Sequence, residues 1–118
     1  MARILIVDDS RILRKILNTT LSEAGYEIVG EAGNGEEAIK LVESEHPDLV
    51  TLDITMPVMD GLAALKEIKA NHPEVKVVMV SAAGQKNKVM DALKSGASDF
   101  LQKPFEPADV TRVISKLV

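Results

Sequence analysis

With 118 residues the chain has room for one domain with a buried core and not for two. Apolar residues make up 46% and charged residues 27%, the balance of a globular protein rather than a disordered one. Fourteen basic against eighteen acidic residues argue against a basic nucleic-acid-binding face, and the lack of cysteine excludes a disulfide, a thiolate zinc site and a cysteine nucleophile. The opening MARILIVDD, cut by two acids, has the pattern of neither a signal nor a transit peptide. No apolar run approaches the ~18 residues that span a bilayer, so no membrane contact and a cytoplasmic location are expected.

Along the chain, apolar runs alternate with helical patterns five times. Ile4 to Val7 is a nearly unbroken branched run, the mark of a strand covered on both faces. A helix follows, with Ile12, Leu13, Ile16, Leu17 and Leu21 on one face, Arg14, Lys15, Asn18 and Ser22 opposite, and Gly25 as its stop. Tyr26 to Glu31 is more mixed and suits an edge strand. Asn34 or Gly35 opens a second helix carrying Ala38, Ile39, Leu41 and Val42 and ending before Pro47. Leu49 to Leu52 is the third strand, and Asp60-Gly61 opens a third helix with Leu62, Leu65 and Ile68, closed before Pro73. Val75 to Val80 is the fourth strand, followed by a helix over Val89, Met90 and Leu93 that stops at Gly96. Phe100 and Leu101 mark a short fifth strand. Pro107 fits the first turn of a last helix, with Val110, Val113, Ile114 and Leu117 inward.

Strand and helix repeated five times predict an α/β fold: a five-stranded parallel sheet, doubly wound, with helices on both faces and right-handed crossovers. The last helix reaches the final residue, so residues 1–118 are expected to form one domain. In such sheets ligands bind beyond the carboxyl ends of the strands. Asp8 and Asp9 follow strand one, Asp53 follows strand three, Ser81 follows strand four and Lys103 follows strand five. Each has an ordinary explanation: a helix cap, a turn acid, a strand-end hydroxyl, a solvated lysine. Their convergence on one rim is what calls for another. Two carboxylates ~4 Å apart repel by roughly 4 kcal/mol at an effective dielectric of 20, so three require a cation or a proton. Oxygen-only donors with open positions suit Mg²⁺. A cation and a lysine would together neutralise a phosphoryl group arriving at Asp53, whose carboxylate is a competent nucleophile.

These residues stand in four motifs: VDDS (7–10), LDITMPVMDG (52–61), VSAAG (80–84) and DFLQKPF (99–105). In them the chain resembles, over its whole length, the receiver domain of two-component response regulators, closest in style to the single-domain chemotaxis members. That family is a standard example of the sheet order 2-1-3-4-5, so the resemblance and not the periodicity implies the order here. The resemblance implies Asp53 as the phosphoacceptor. It makes Asp8 and Asp9, with the backbone carbonyl of Thr55, the protein side of a Mg²⁺ site that Asp53 shares. Of the adjacent acids, Asp9 is implied to bind the metal directly and Asp8 through water or by shaping the charge, leaving Ser10 to cap the first helix. Ser81 and Lys103 take the roles of hydroxyl and lysine that contact the phosphoryl oxygens, and Pro104 that of a proline after a cis bond. Phe100 takes the place of the switch aromatic that turns inward as Ser81 is drawn toward Asp53, where many members have tyrosine. The face of helix four, strand five and helix five then presents a changed surface. Thr55 and Ala83 occupy the positions that tune water attack on the phosphoryl group. Neither is the acid or amide often found there, which implies a long-lived phosphoryl group.

The implied partners are a chemotaxis-type sensor histidine kinase, a flagellar switch protein and, as in some members, a separate phosphatase. A monomer is expected, with no catalysis beyond its own phosphoryl transfer and dephosphorylation. Within the family, a phosphorelay intermediate or phosphate sink, or a receiver cut from a DNA-binding regulator, remains open. A phosphohydrolase with an aspartate nucleophile usually carries a second acid two residues on, where this chain has Thr55. A flavodoxin needs a hydroxyl- and glycine-rich loop after strand one, and DDSRIL is its opposite in charge. His46 and His72 each precede proline at a helix end and read as capping or turn residues, not relay histidines.

Overall fold

The computed structural model describes residues 1–118. Strands and helices alternate as β1 (Arg3–Val7), α1 (Arg11–Glu23), β2 (Glu27–Ala32), α2 (Gly35–Glu45), β3 (Leu49–Asp53), α3 (Gly61–Asn71), β4 (Lys76–Ser81), α4 (Lys86–Lys94), β5 (Asp99–Gln102) and α5 (Pro107–Ser115). All four strand pairings are parallel, and the sheet order is β2-β1-β3-β4-β5. The doubly wound fold and the order implied by the resemblance are both present, with β2 at one edge.

The period-two alternation of side chains divides the core into two layers. Leu5, Val7, Val50, Leu52, Val77 and Met79 face α2, α3 and α4. Ile4, Ile6, Leu49, Val78 and Leu101 face α1 and α5, where Leu17, Leu21, Val110, Val113 and Ile114 complete the second layer. Because β1, β3 and β4 have neighbours on both sides and helices on both faces, nearly all their side chains are buried.

Helix ends follow the local chemistry. Ser10, Asn34 and Asp60 accept the N–H groups of Leu13, Glu37 and Ala63 at 3.2, 2.9 and 2.9 Å. Pro107 opens α5 behind a capping box of Glu106 and Asp109. His46 ends α2 in the left-handed region (φ 48°) and His72 ends α3, their N–H groups donating to Val42 and Ile68. Capping is therefore what both histidines do. The His72 ring adds a 2.9 Å contact from Nε2 to Glu43 Oε1.

Two expectations fail on α1. Ile12 is 73% exposed and Ile16 44%, whereas Leu17 and Leu21 are buried. At 3.6 residues per turn the contact arc runs through Leu13, Leu17, Leu21, Arg14 and Asn18, rotated by roughly a fifth of a turn from the apolar stripe. The rotation brings Arg14, assigned to the solvent face, over the end of β1. There its guanidinium donates to the Asp8 carbonyl at 2.6 Å and to Glu31 Oε1 at 3.1 Å. An arginine stem covers apolar surface while its head finds acceptors, so a purely apolar count misplaces the helix. On α4, Val89 and Ala92 are buried, while Met90 and Leu93 are exposed.

Candidate functional site: an acidic pocket at the strand ends

Beyond the carboxyl ends of β1 and β3, the central neighbours where strand order reverses, the structure gathers Asp8, Asp9, Asp53 and Lys103. Asp8 continues β1 for one residue, its N–H donating to the Ala32 carbonyl at 3.0 Å. Its side chain is buried. Oδ1 accepts the Ser10 N–H at 2.8 Å, and Oδ2 has no hydrogen-bond donor, only the Lys103 ammonium at 3.3 Å. Asp9 is exposed at the rim. Asp53 is the last residue of β3 and 5% exposed, with Oδ2 at 3.4 Å from Lys103 Nζ. Carboxylate oxygens of all three acids lie within 4.8 Å of one another.

The backbone holds this arrangement in place. The segment after Asp53 folds back on itself, with the Gly61 N–H on the Ile54 carbonyl at 2.7 Å. A Cβ on Gly61 would stand 2.1 Å from the Asp53 carbonyl oxygen, so only glycine permits this approach. The same segment docks on α2, where Gly35 N–H donates to Met59 O at 2.9 Å. Lys103 is reached from β5 through a main-chain bond, its N–H on the Ser81 carbonyl at 2.8 Å, and the Lys103–Pro104 bond is cis.

Burial and charge act on Asp53 together. Removal from water raises its pKa from 3.8 to about 6, Asp8 and Asp9 push in the same direction, and the ammonium of Lys103 opposes them. A cation entering the pocket would reverse that balance. The donor set fits a hard divalent metal: all ligands are oxygen, one carboxylate oxygen is buried without a hydrogen-bond donor, and the rim is open at Asp9.

The remaining predicted residues stand around this centre. Ser81 is the last residue of β4 and buried, its hydroxyl making a long 3.4 Å bond to the Leu101 carbonyl rather than one to Asp53. Phe100 is 39% exposed and lines a groove of about 310 Å³ with Ser81, Val89, Met90 and Leu93. Ala83 lies exposed in the loop between β4 and α4. Thr55 is exposed, and its hydroxyl oxygen accepts from Gln85 Nε2 at 2.7 Å. Two contributors have no periodicity to reveal them: Gln85, which also accepts the Ala82 N–H at 2.7 Å, and Arg14, which braces the Asp8 main chain.

The family model for the response regulator receiver domain matches residues 4–115. The chain belongs to that family. Among receiver proteins it is 46% identical over 115 residues to the chemotaxis protein CheY of Thermotoga maritima, which covers 98% of this chain and 96% of that protein. It is 47% identical over 114 residues to CheY of Bacillus subtilis, covering 97% and 95%. A solved CheX–CheY–BeF₃–Mg²⁺ complex from Borrelia burgdorferi superimposes with a TM-score of 0.93 at 40% identity, over 99% of this chain and 90% of that one. The chain is thus a CheY-like receiver domain of two-component signalling, and no helix in it is long and apolar enough to cross a membrane.

Proposed function

We propose that this receiver domain accepts a phosphoryl group from the phosphohistidine of a sensor kinase onto Asp53 and signals through the α4–β5–α5 face, in chemotaxis at the flagellar motor. The observation that carries the reading is the buried Asp53 carboxylate set against one ammonium and two further carboxylates at the switch point of the sheet. An Asp53 oxygen forms the O–P bond as the N–P bond breaks, and the electron pair and a proton go to the departing imidazole. Lys103 stays beside Asp53 and neutralises phosphoryl oxygens as they arrive. Mg²⁺, held by Asp8, Asp9, Asp53 and the Thr55 carbonyl, supplies charge neutralisation at the acceptor when bound.

Ser81 then exchanges its bond to Leu101 for one to the phosphoryl group, and Phe100 moves from its exposed position into the groove beside it. Phenylalanine donates no hydrogen bond, so this movement rests on packing alone. Thr55, already bonded to Gln85, and the side chain of Ala83 are poor at orienting a water, so hydrolysis is slow and Ala83→Glu shortens the phosphoryl lifetime. A separate phosphatase would complete such a cycle, and the Borrelia complex shows that a CheY can bind a second protein, CheX.

The chemistry is tested by incubation with a small phosphodonor and Mg²⁺. Wild type gains an acid-stable, base-labile phosphoryl group and Asp53→Asn gains none; equal labelling of both refutes the acceptor. The output is tested by affinity capture with and without beryllofluoride and Mg²⁺. A flagellar switch protein retained only in their presence supports the motor effector, and a histidine phosphotransfer protein supports a relay instead.

A further inference from the structure

Gln85 occupies the N-cap position of α4, yet its side chain caps nothing. At the first three helices the N-cap side chain bonds the first turn, whereas the carboxamide of Gln85 turns back to Ala82 and Thr55. Its Oε1 accepts the Ala82 N–H and its Nε2 donates to Thr55 Oγ1, both at 2.7 Å. One side chain thus ties the loop after Ser81 to the loop after Asp53.

The strand ladder explains why the Ala82 N–H is free to be taken. Ile54 N–H donates to the Val80 carbonyl, and the next rung of a parallel ladder would run from Ala82 N–H to the Ile54 carbonyl. That carbonyl accepts from Gly61 instead, so the two strands part at this point. Ala82 N–H is therefore a donor in the loop one residue beyond the end of β4, with no main-chain acceptor. Gln85 supplies the missing acceptor while the Ser81 hydroxyl is turned toward Leu101.

We propose that Gln85 is a latch. Its carboxamide holds the β4–α4 loop in the resting position and must release Ala82 and Thr55 when Asp53 carries a phosphoryl group, whose oxygens then compete for the Ala82 N–H. Gln85 in this way sets the fraction of molecules in the signalling conformation, acting as a positioning residue through the loop and not on the reacting atoms. The inference rests on Asp53 being the acceptor. Its direction is opposite to that of a simple supporting contact, since removing the latch should favour the phosphorylated form.

The test uses the ¹⁵N-labelled full chain as wild type, Gln85→Ala, Thr55→Val and the double variant. Each is titrated with beryllofluoride in Mg²⁺, a phosphoryl mimic that does not hydrolyse and so separates the equilibrium from lifetime. Breaking a partly exposed bridge should tighten apparent beryllofluoride binding about three- to tenfold in each single variant. The double variant should bind no tighter than Gln85→Ala, because both substitutions open the same bridge. In the resting protein the Ala82 amide should be protected from exchange in wild type and unprotected in Gln85→Ala. Unchanged or weaker binding in Gln85→Ala overturns the latch, as does an unprotected Ala82 amide in a wild type that binds beryllofluoride. A wild type with a protected Ala82 amide that binds no beryllofluoride overturns the acceptor reading, and the latch falls with it.

Discussion

Replacing Asp53 by asparagine should make the metal-free protein more stable, by an amount that depends on pH. In the fold the Asp53 pKa rises from 3.8 to about 6, chiefly because the carboxylate is buried and then because Asp8 lies beside it, against the pull of Lys103. A rise of that size corresponds to about 3 kcal/mol. Well below pH 3.8 the acid is protonated in both folded and unfolded chains and contributes nothing. Between pH 4 and 6 the unfolded chain releases the proton that the folded one keeps. Stability therefore falls with rising pH and levels off above about 6. Asparagine has the shape of the protonated acid and no charge to bury.

Urea unfolding in EDTA at pH 4, 5, 6 and 8 measures the difference directly. The two proteins should agree within about 0.5 kcal/mol at pH 4, and Asp53→Asn should lead by about 3 kcal/mol at pH 8. Mg²⁺ at a hundred times its dissociation constant adds about 2.7 kcal/mol to a protein that binds it only when folded. Saturating Mg²⁺ should thus close most of the gap at pH 8 by stabilising wild type, with a smaller effect on the variant. A gap that does not change with pH, or a wild type more stable than Asp53→Asn at pH 8 in EDTA, would refute the electrostatic reasoning.

Three further outcomes follow from the backbone and the core. Val58 sits in the left-handed region at φ 68° with 77% of its side chain exposed, so its strain brings no packing in return. Val58→Asn should raise stability by about 1 kcal/mol, read as an increase of several degrees in thermal midpoint; no increase would mean that the loop gains from valine in another way. Gly61→Ala drives a methyl group into the Asp53 carbonyl and the Ile54 Cα, both main-chain atoms. A loss of about 3 kcal/mol in chemical denaturation is expected, and a loss below 1 would show that the loop yields. On α1, Ile12→Ser should change stability by no more than about 0.5 kcal/mol, whereas Leu17→Ala should cost 2–5 kcal/mol, roughly. Equal costs would restore the original apolar face.

Much of the architecture is legible because burial on both faces leaves a mark in the chain. Ile4–Val7 and Leu49–Leu52 lack the alternation of a half-exposed strand, and Ser10, Asn34, Asp60 and Pro107 punctuate the helices by local hydrogen bonding or fixed φ. The acids of the pocket are legible for a related reason. Charge at the end of a fully buried run is costly, so its position at Asp8 and Asp53 is itself a signal. The orientation of α1 is not legible, because Ile12 and Leu17 are equally apolar and only the position of α1 against β2 and α5 decides between them. Gln85 is hidden more completely. Its partners lie thirty residues upstream and three residues back, and nothing local separates it from an ordinary polar residue at a helix start.

The charge balance of the pocket suggests why such loop contacts should matter more than net charge. Three carboxylates against one ammonium leave the site two negative charges in excess, which a divalent cation cancels. On the proposed function, phosphorylation would replace the single charge of Asp53 by the roughly two of a phosphoryl group. The change would therefore be about one unit, in a pocket that Lys103 and a bound divalent cation would already balance. What would change more is the number of oxygen acceptors: one buried carboxylate would give way to three phosphoryl oxygens beside the end of β4. The donors able to answer them there are the Ser81 hydroxyl and the Ala82 N–H, and in the resting protein both are bonded elsewhere, to Leu101 and to Gln85. On the proposed function, signalling in this domain would be a competition for two donors, in which Asp8, Asp9 and Lys103 would make the phosphoryl group tolerable and the β4–α4 loop would decide how strongly it is felt.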